Sequence, residues 1–192
     1  MFSGKTEELI RRLRLAVHAK RKVQAFKPRI DDRYDSDKVV THYGAGLDAL
    51  AVPNSVAMEA QIAPDTRVVG IDEAQFFDAG IVDLVEKLAD SGVCVLLAGL
   101  DQDYLGRPFA PMPQLMAIAE HVTKVYAVCA TCGAPATRSQ RIVDQSATIL
   151  VGGEESYEPR CRACFQRREI SRSSLSHPTN TCRNLDRSHR VQ

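Results

Sequence analysis

The chain has 192 residues, which fits one domain of ordinary size with room for a small appendage. Apolar residues make up 44% and charged residues 26%, so a core can be buried, and no run approaches the roughly 20 apolar residues that cross a bilayer. Twenty-five basic and 24 acidic residues leave a net charge of +1, which argues against a protein built mainly to grip the phosphate backbone of a nucleic acid.

The opening MFSGKTEEL has no basic segment followed by an apolar run, so no secretory signal is visible and the cytoplasm is the expected location. A Gly-Lys-Thr turn leads into a helical pattern in which Leu9, Ile10, Leu13, Ala16 and Val17 recur at three- and four-residue steps. Residues 23–26 read as a short strand stopped by Lys27-Pro28, residues 31–37 as a polar loop, and residues 39–43 as another strand candidate. The run Val68-Val69-Gly70-Ile71 ends in Asp72-Glu73, as a buried parallel strand ends at its carboxyl edge. A helix over 81–88 closes at Ser91-Gly92, and residues 93–98 predict a second buried strand. A helix over 115–121 and a strand over 122–128 follow. Strands separated by helices predict an α/β fold, a parallel sheet with helices on both faces.

The character changes after Cys129. Residues 129–164 carry two C-x-x-C pairs and only short strand candidates such as 148–151, which predicts a small subdomain. Residues 166–192 are rich in Ser, Arg, His and Asn and are expected to be disordered. The expected organisation is therefore 1–128, 129–165 and 166–192.

Ser3-Gly4-Lys5-Thr6 matches the second half of G-x-x-x-x-G-K-[ST]. In that pattern backbone N–H groups surround phosphates, the Lys neutralises their charge and the Thr hydroxyl ligates Mg²⁺. Such a loop also needs an acidic residue at the end of a neighbouring strand, which Asp72 supplies. The first Gly of the pattern would fall two residues before Met1, and its leading strand is missing too. Roughly 10 further residues encoding both are expected upstream. Glu73, beside Asp72, can act as general base if the phosphoryl acceptor is an alcohol; the plainer alternative is a helix cap or a partner for an arginine. Asp72-Glu73-Ala74-Gln75 also resembles the D-E-x-x box of helicases, but those need two lobes and this length holds one.

Cys129-Ala130-Thr131-Cys132 and Cys161-Arg162-Ala163-Cys164, 28 residues apart, predict a closed four-thiolate Zn²⁺ site with a structural role. Cys94 and Cys182 read as plain thiols. Zinc ribbons also bind nucleic acid, but the neutral charge opposes that, and Arg138, Arg141, Arg160 and Arg162 read as solvated surface.

Taken together, residues 1–9, Ile71-Asp72-Glu73-Ala74-Gln75-Phe76-Phe77, Gly99-Leu100-Asp101-Gln102-Asp103 with Pro108-Phe109, and the cysteine pairs closely resemble the type II thymidine kinases. The resemblance spans about residues 1–165. It implies a RecA-like P-loop sheet carrying a zinc ribbon, and transfer of the ATP γ-phosphoryl group to the 5′-hydroxyl of thymidine. It further implies a homotetramer, with neither nucleic acid nor membrane as partner.

By the same resemblance, Ser3, Gly4, Lys5 and Thr6 form the phosphate loop, with Arg33 and the run Asp72, Glu73, Ala74 and Gln75 completing the ATP site. Thr6 and Asp72 hold Mg²⁺, and Glu73 is the catalytic base. Met1, Phe76, Leu100, Tyr104 and Phe109 wall the thymine. Leu150, Val151, Gly152, Gly153 and Tyr157 belong to a lasso loop that closes over the nucleoside with backbone groups, its ends tied down by Cys129, Cys132, Cys161 and Cys164. A kinase of shifted base preference, or an inactive P-loop and zinc-ribbon binding protein, are the alternatives.

Overall fold

The structure, a computed structural model, describes residues 1–29, 38–40, 46–143 and 156–166. Arg33, the lasso residues Leu150, Val151, Gly152 and Gly153, the strand candidate 148–151, Cys182 and nearly all of the tail lie outside the described residues.

Helix α1 (Lys5–His18) carries Glu7 and Glu8 in its first turn and His18 in its last, charges placed to complement the helix dipole. Its apolar stripe buries Leu9, Ile10 and Leu13, whereas Val17, on the same sequence pattern, stays 49% exposed. Strand β1 (Val23–Pro28) follows. Its pairing changes partner midway, residues Val23 to Phe26 facing one neighbour and Phe26 to Pro28 another, so Pro28 sits past the last pair on the first side.

Then come β2 (Lys38–Val40), β3 (Gly46–Asp48), β4 (Leu50–Val52) and α2 (Ser55–Glu59), capped by the Asn54 side chain. Next are β5 (Val68–Ile71), a single 3₁₀ turn (Ala74–Phe76), α3 (Gly80–Asp90), β6 (Cys94–Leu97) and α4 (Met112–Ile118). The last part holds β7 (Ala127–Val128), β8 (Pro135–Ala136), β9 (Arg138–Arg141) and β10 (Tyr157–Arg160).

Strands β4, β1, β5 and β6 lie side by side in that order, all parallel. Alternation along β5 sends Val68 toward α1 and Val69 and Ile71 toward α2, α3 and α4, so two apolar clusters sandwich the sheet. The expected α/β architecture with helices on both faces is what the chain adopts. Gly70 fits this packing because a Cβ there would lie 2.5 Å from Leu13 Cδ1. No helix among the described residues is long and apolar enough to cross a membrane.

Three expectations need correction. The strand over 93–98 exists as β6, but it is a half-exposed edge rather than a buried strand, with no second neighbour among the described residues. The strand over 122–128 shrinks to Ala127–Val128 and pairs antiparallel with β8 instead of joining the parallel sheet. Val122 and Tyr126 are 49% and 58% exposed, and without a partner edge an apolar run does not become a strand. The helix over 115–121 is displaced toward the N-terminus, Pro113 occupying a first-turn position that needs no N–H.

Candidate active site

Gly4 adopts φ +76°, a left-handed conformation that glycine takes without cost, and thereby turns the chain into α1. No side chain among the described residues caps this helix, so its first N–H groups stay open beside Lys5, an arrangement that favours anions. Ser3, Lys5 and Thr6 are half-buried and Gly4 is exposed, so the turn is reachable from solvent.

Across the sheet edge, Thr6 Oγ1 donates to Asp72 Oδ2 at 3.0 Å, joining residues 66 apart in sequence. Asp72 is 7% exposed. Its burial, and then the Glu73 carboxylate, push its carboxyl up to about 6, opposed by the Glu73 N–H, the Thr6 hydroxyl and Lys5. A carboxylate destabilised in this way gains most from a cation beside it. The hydroxyl and carboxylate are hard oxygen donors, a set that fits Mg²⁺ shared with phosphates.

Glu73 lies in the left-handed region with φ +48°, a conformation costing a non-glycine residue on the order of 1 kcal/mol. Hydrogen bonds hold it there: its N–H donates to Asp72 Oδ1 (2.9 Å), and the next N–H, of Ala74, donates to Ala98 O (3.0 Å). Ala74 and Gln75 are buried, and Gln75 bonds to Glu73 and to the backbone of Leu100.

Phe76 meets Phe109 edge to face, with ring centroids 5.7 Å apart. The Tyr104 ring lies under the Arg141 guanidinium at 3.7 Å, and Arg141 Nη2 donates to the Tyr157 hydroxyl at 2.9 Å. The Met1 amino group donates to Ser139 Oγ at 2.8 Å. Among the described members of the expected nucleoside wall, Phe76 meets Phe109, Tyr104 and Tyr157 share Arg141, and Leu100 is joined to Glu73 through Gln75.

Strand β9 is where sequence reasoning fell short. Arg138 and Arg141, read as solvated surface, are 6% and 3% exposed. Arg138 Nη1 donates to Gln102 Oε1 (2.6 Å) and its guanidinium packs over Phe165, so buried arginines pin the small ribbon to the main domain. Formal charge carries no signal of this; the aromatic residues that receive them are distant in sequence. Arg160 is half-buried, bonded to Glu158, and Arg162 is exposed as expected.

Cys129 and Cys132 flank the turn between β7 and β8, and Cys161 and Cys164 follow β10; their four sulfurs lie within 4.8 Å of one another. A tetrahedral S₄ site with metal–sulfur bonds of about 2.3 Å has edges of about 3.8 Å. Cys132 Sγ and Cys161 Sγ are 3.7 Å apart, so the set fits such an ion. Burial works against ionisation of Cys129, but backbone N–H groups of Cys161, Thr131 and Cys132 outweigh it and bring the thiol to about 6. Thiolate-stabilising amides are the environment a metal ligand needs.

A helix opening on Gly-Lys-Thr against the acidic end of a parallel strand places the chain in the P-loop α/β class, here with a small four-thiol ribbon attached. The sequence relationship narrows that class. A family profile described as "Thymidine kinase" matches residues 1–165. A thymidine kinase of Rhodothermus sp. (strain ITI 518) is 54% identical over 179 residues, which cover 93% of this chain and 84% of that protein. The chain belongs to the thymidine kinase family.

Proposed function

We propose that the protein transfers the terminal phosphoryl group of ATP to the 5′-hydroxyl of thymidine, giving dTMP and ADP. The observation that carries this reading is the 3.0 Å bond between Thr6 and Asp72 with Glu73 next in sequence, which puts a phosphate-binding turn beside a pair of carboxylates.

Lys5 and the open N–H groups of α1 hold the triphosphate. Thr6 and Asp72 would hold Mg²⁺, which would supply positive charge against the phosphates. Glu73 accepts the proton of the 5′-hydroxyl as its oxygen attacks phosphorus, and ADP departs. Phe76, Leu100, Tyr104 and Phe109 shape the base pocket, with Met1 beside it. By family resemblance Arg33 steadies the reacting phosphates, and Leu150, Val151, Gly152, Gly153 and Tyr157 close over the nucleoside. Zinc at the four thiols would tie down that loop, and the homotetramer is the assembly the resemblance implies.

The test is Glu73→Gln. Turnover should fall by about 10²- to 10⁴-fold while binding of a non-hydrolysable ATP analogue persists; normal turnover in this variant would remove Glu73 from the mechanism. Assays with thymidine, deoxyuridine and deoxycytidine set the base preference, and no transfer to any of them would favour a binding protein.

A further inference from the structure

Gln75 was expected among the phosphate-site residues, yet its side chain is 2% exposed and faces inward. Its amide spans two groups of opposite character. Nε2 donates to Glu73 Oε2 at 2.5 Å, and Oε1 accepts from the Leu100 N–H at 2.9 Å. Chemistry alone orients this amide: a carboxylate only accepts and a backbone N–H only donates, so no flipped arrangement satisfies both.

The seat is closely fitted. A Cβ on Gly99 would lie 2.9 Å from Gln75 Oε1 and 2.7 Å from Met112 Sδ, so position 99 must leave room for the amide. The 3₁₀ turn that carries Gln75 also carries Phe76, which packs on Phe109.

We infer that Gln75 is a positioning residue that fixes the Glu73 carboxylate to the backbone of Leu100, so that the base and the nucleoside wall move as one unit. This rests on the reading of Glu73 as the base. Glu73 is half-buried, and a Glu side chain in such a place samples several rotamers unless something holds it. Misplacing a reacting group by about 1 Å can cost roughly 10²-fold in rate. Only an amide of this length offers a donor to the carboxylate and an acceptor to the N–H. Glu in its place would set two carboxylates against each other, and Met, of similar shape, would offer neither bond.

The experiment uses the full chain carrying Gln75→Met, Gln75→Glu, Glu73→Gln, or Glu73→Gln with Gln75→Met. With thymidine saturating, kcat of Gln75→Met should fall by about 100-fold, while affinity for a non-hydrolysable ATP analogue stays within about twofold. The double variant should be no slower than Glu73→Gln, because there is no base left to misplace. A merely structural role would instead slow both backgrounds by the same factor, and that result, or a Gln75→Met kcat within twofold of wild type, overturns the inference. If Gln75→Met does not fold, Gln75→Glu is read by the same criteria. Full turnover by Glu73→Gln would instead strike at the assignment of the base itself, and this inference would go with it.

Discussion

At the scale of single residues, the contact between Gly70 and Leu13 decides how closely α1 approaches the sheet. A methyl group on Gly70 would meet Leu13 Cδ1 at 2.5 Å and Cδ2 at 2.8 Å, and Leu13, 1% exposed, has little room to turn aside. Gly70→Ala should therefore cost about 1–3 kcal/mol in urea unfolding. Because Leu13 rides on the helix that begins at Lys5, the same change should weaken ATP binding. Adding Leu13→Ala should recover part of the loss, making the pair less than additive. Strict additivity would show that the two residues do not press on each other.

At the scale of elements, Asp78 joins the starts of α2 and α3. Its carboxylate accepts from the Ser55 N–H (2.8 Å), the Ser55 hydroxyl (2.7 Å) and the Gly80 N–H (3.2 Å). Partial burial raises its carboxyl, but these donors outweigh that and hold it below its ordinary value of 3.8. A depressed carboxylate stabilises the fold above the unfolded value and loses that contribution as pH drops through the folded one. Asp78→Asn should thus cost on the order of 1 kcal/mol at pH 7, modest because water competes at this exposed site. The gap to wild type should narrow at pH 3, as read by urea unfolding at both pH values; an equal gap would mean the charge contributes nothing. Strand β6 shows a different element-level property. It is apolar but half-exposed along one edge, the kind of edge that readily accepts a further strand.

For the molecule as a whole, the question is how a ribbon of two-stranded pieces with a tiny core stays attached to the parallel sheet. Its apolar cluster is little more than Ala127, Ala136 and the buried cysteines, too small to be stable alone. Four thiols that could hold a metal would supply the remainder, and buried Arg138 and Arg141 fasten the ribbon to the loop that bears Gln102 and Tyr104. Removing zinc with a chelator should abolish turnover while the helical circular-dichroism signal, which comes from the sheet's flanking helices, largely survives. Restoring zinc should restore activity, and metal analysis should find about one ion per chain. Full activity after complete chelation would separate the ribbon from catalysis.

Features governed by short-range chemistry could be read directly from the residues. Lys5 and Thr6 open a helix because the glycine before them can take a positive φ. The run 68–71 is buried on both faces and therefore apolar without alternation, and two C-x-x-C pairs are a ligand set wherever they meet. These readings located the sheet, the Thr6–Asp72 contact and the sulfur cluster. Other features depended on partners far away in the chain. Among the described residues, 122–126 have a strand's composition but no edge to pair with, and β6 looks like an interior strand but has a single neighbour. Arg138 and Arg141 are charged yet lie buried against aromatic rings, and Gln75 turns its amide inward to a carboxylate and a distant N–H. Pairing and burial belong to the assembled fold, because a hydrogen bond or a desolvated charge is stable only when the group that satisfies it has been brought alongside.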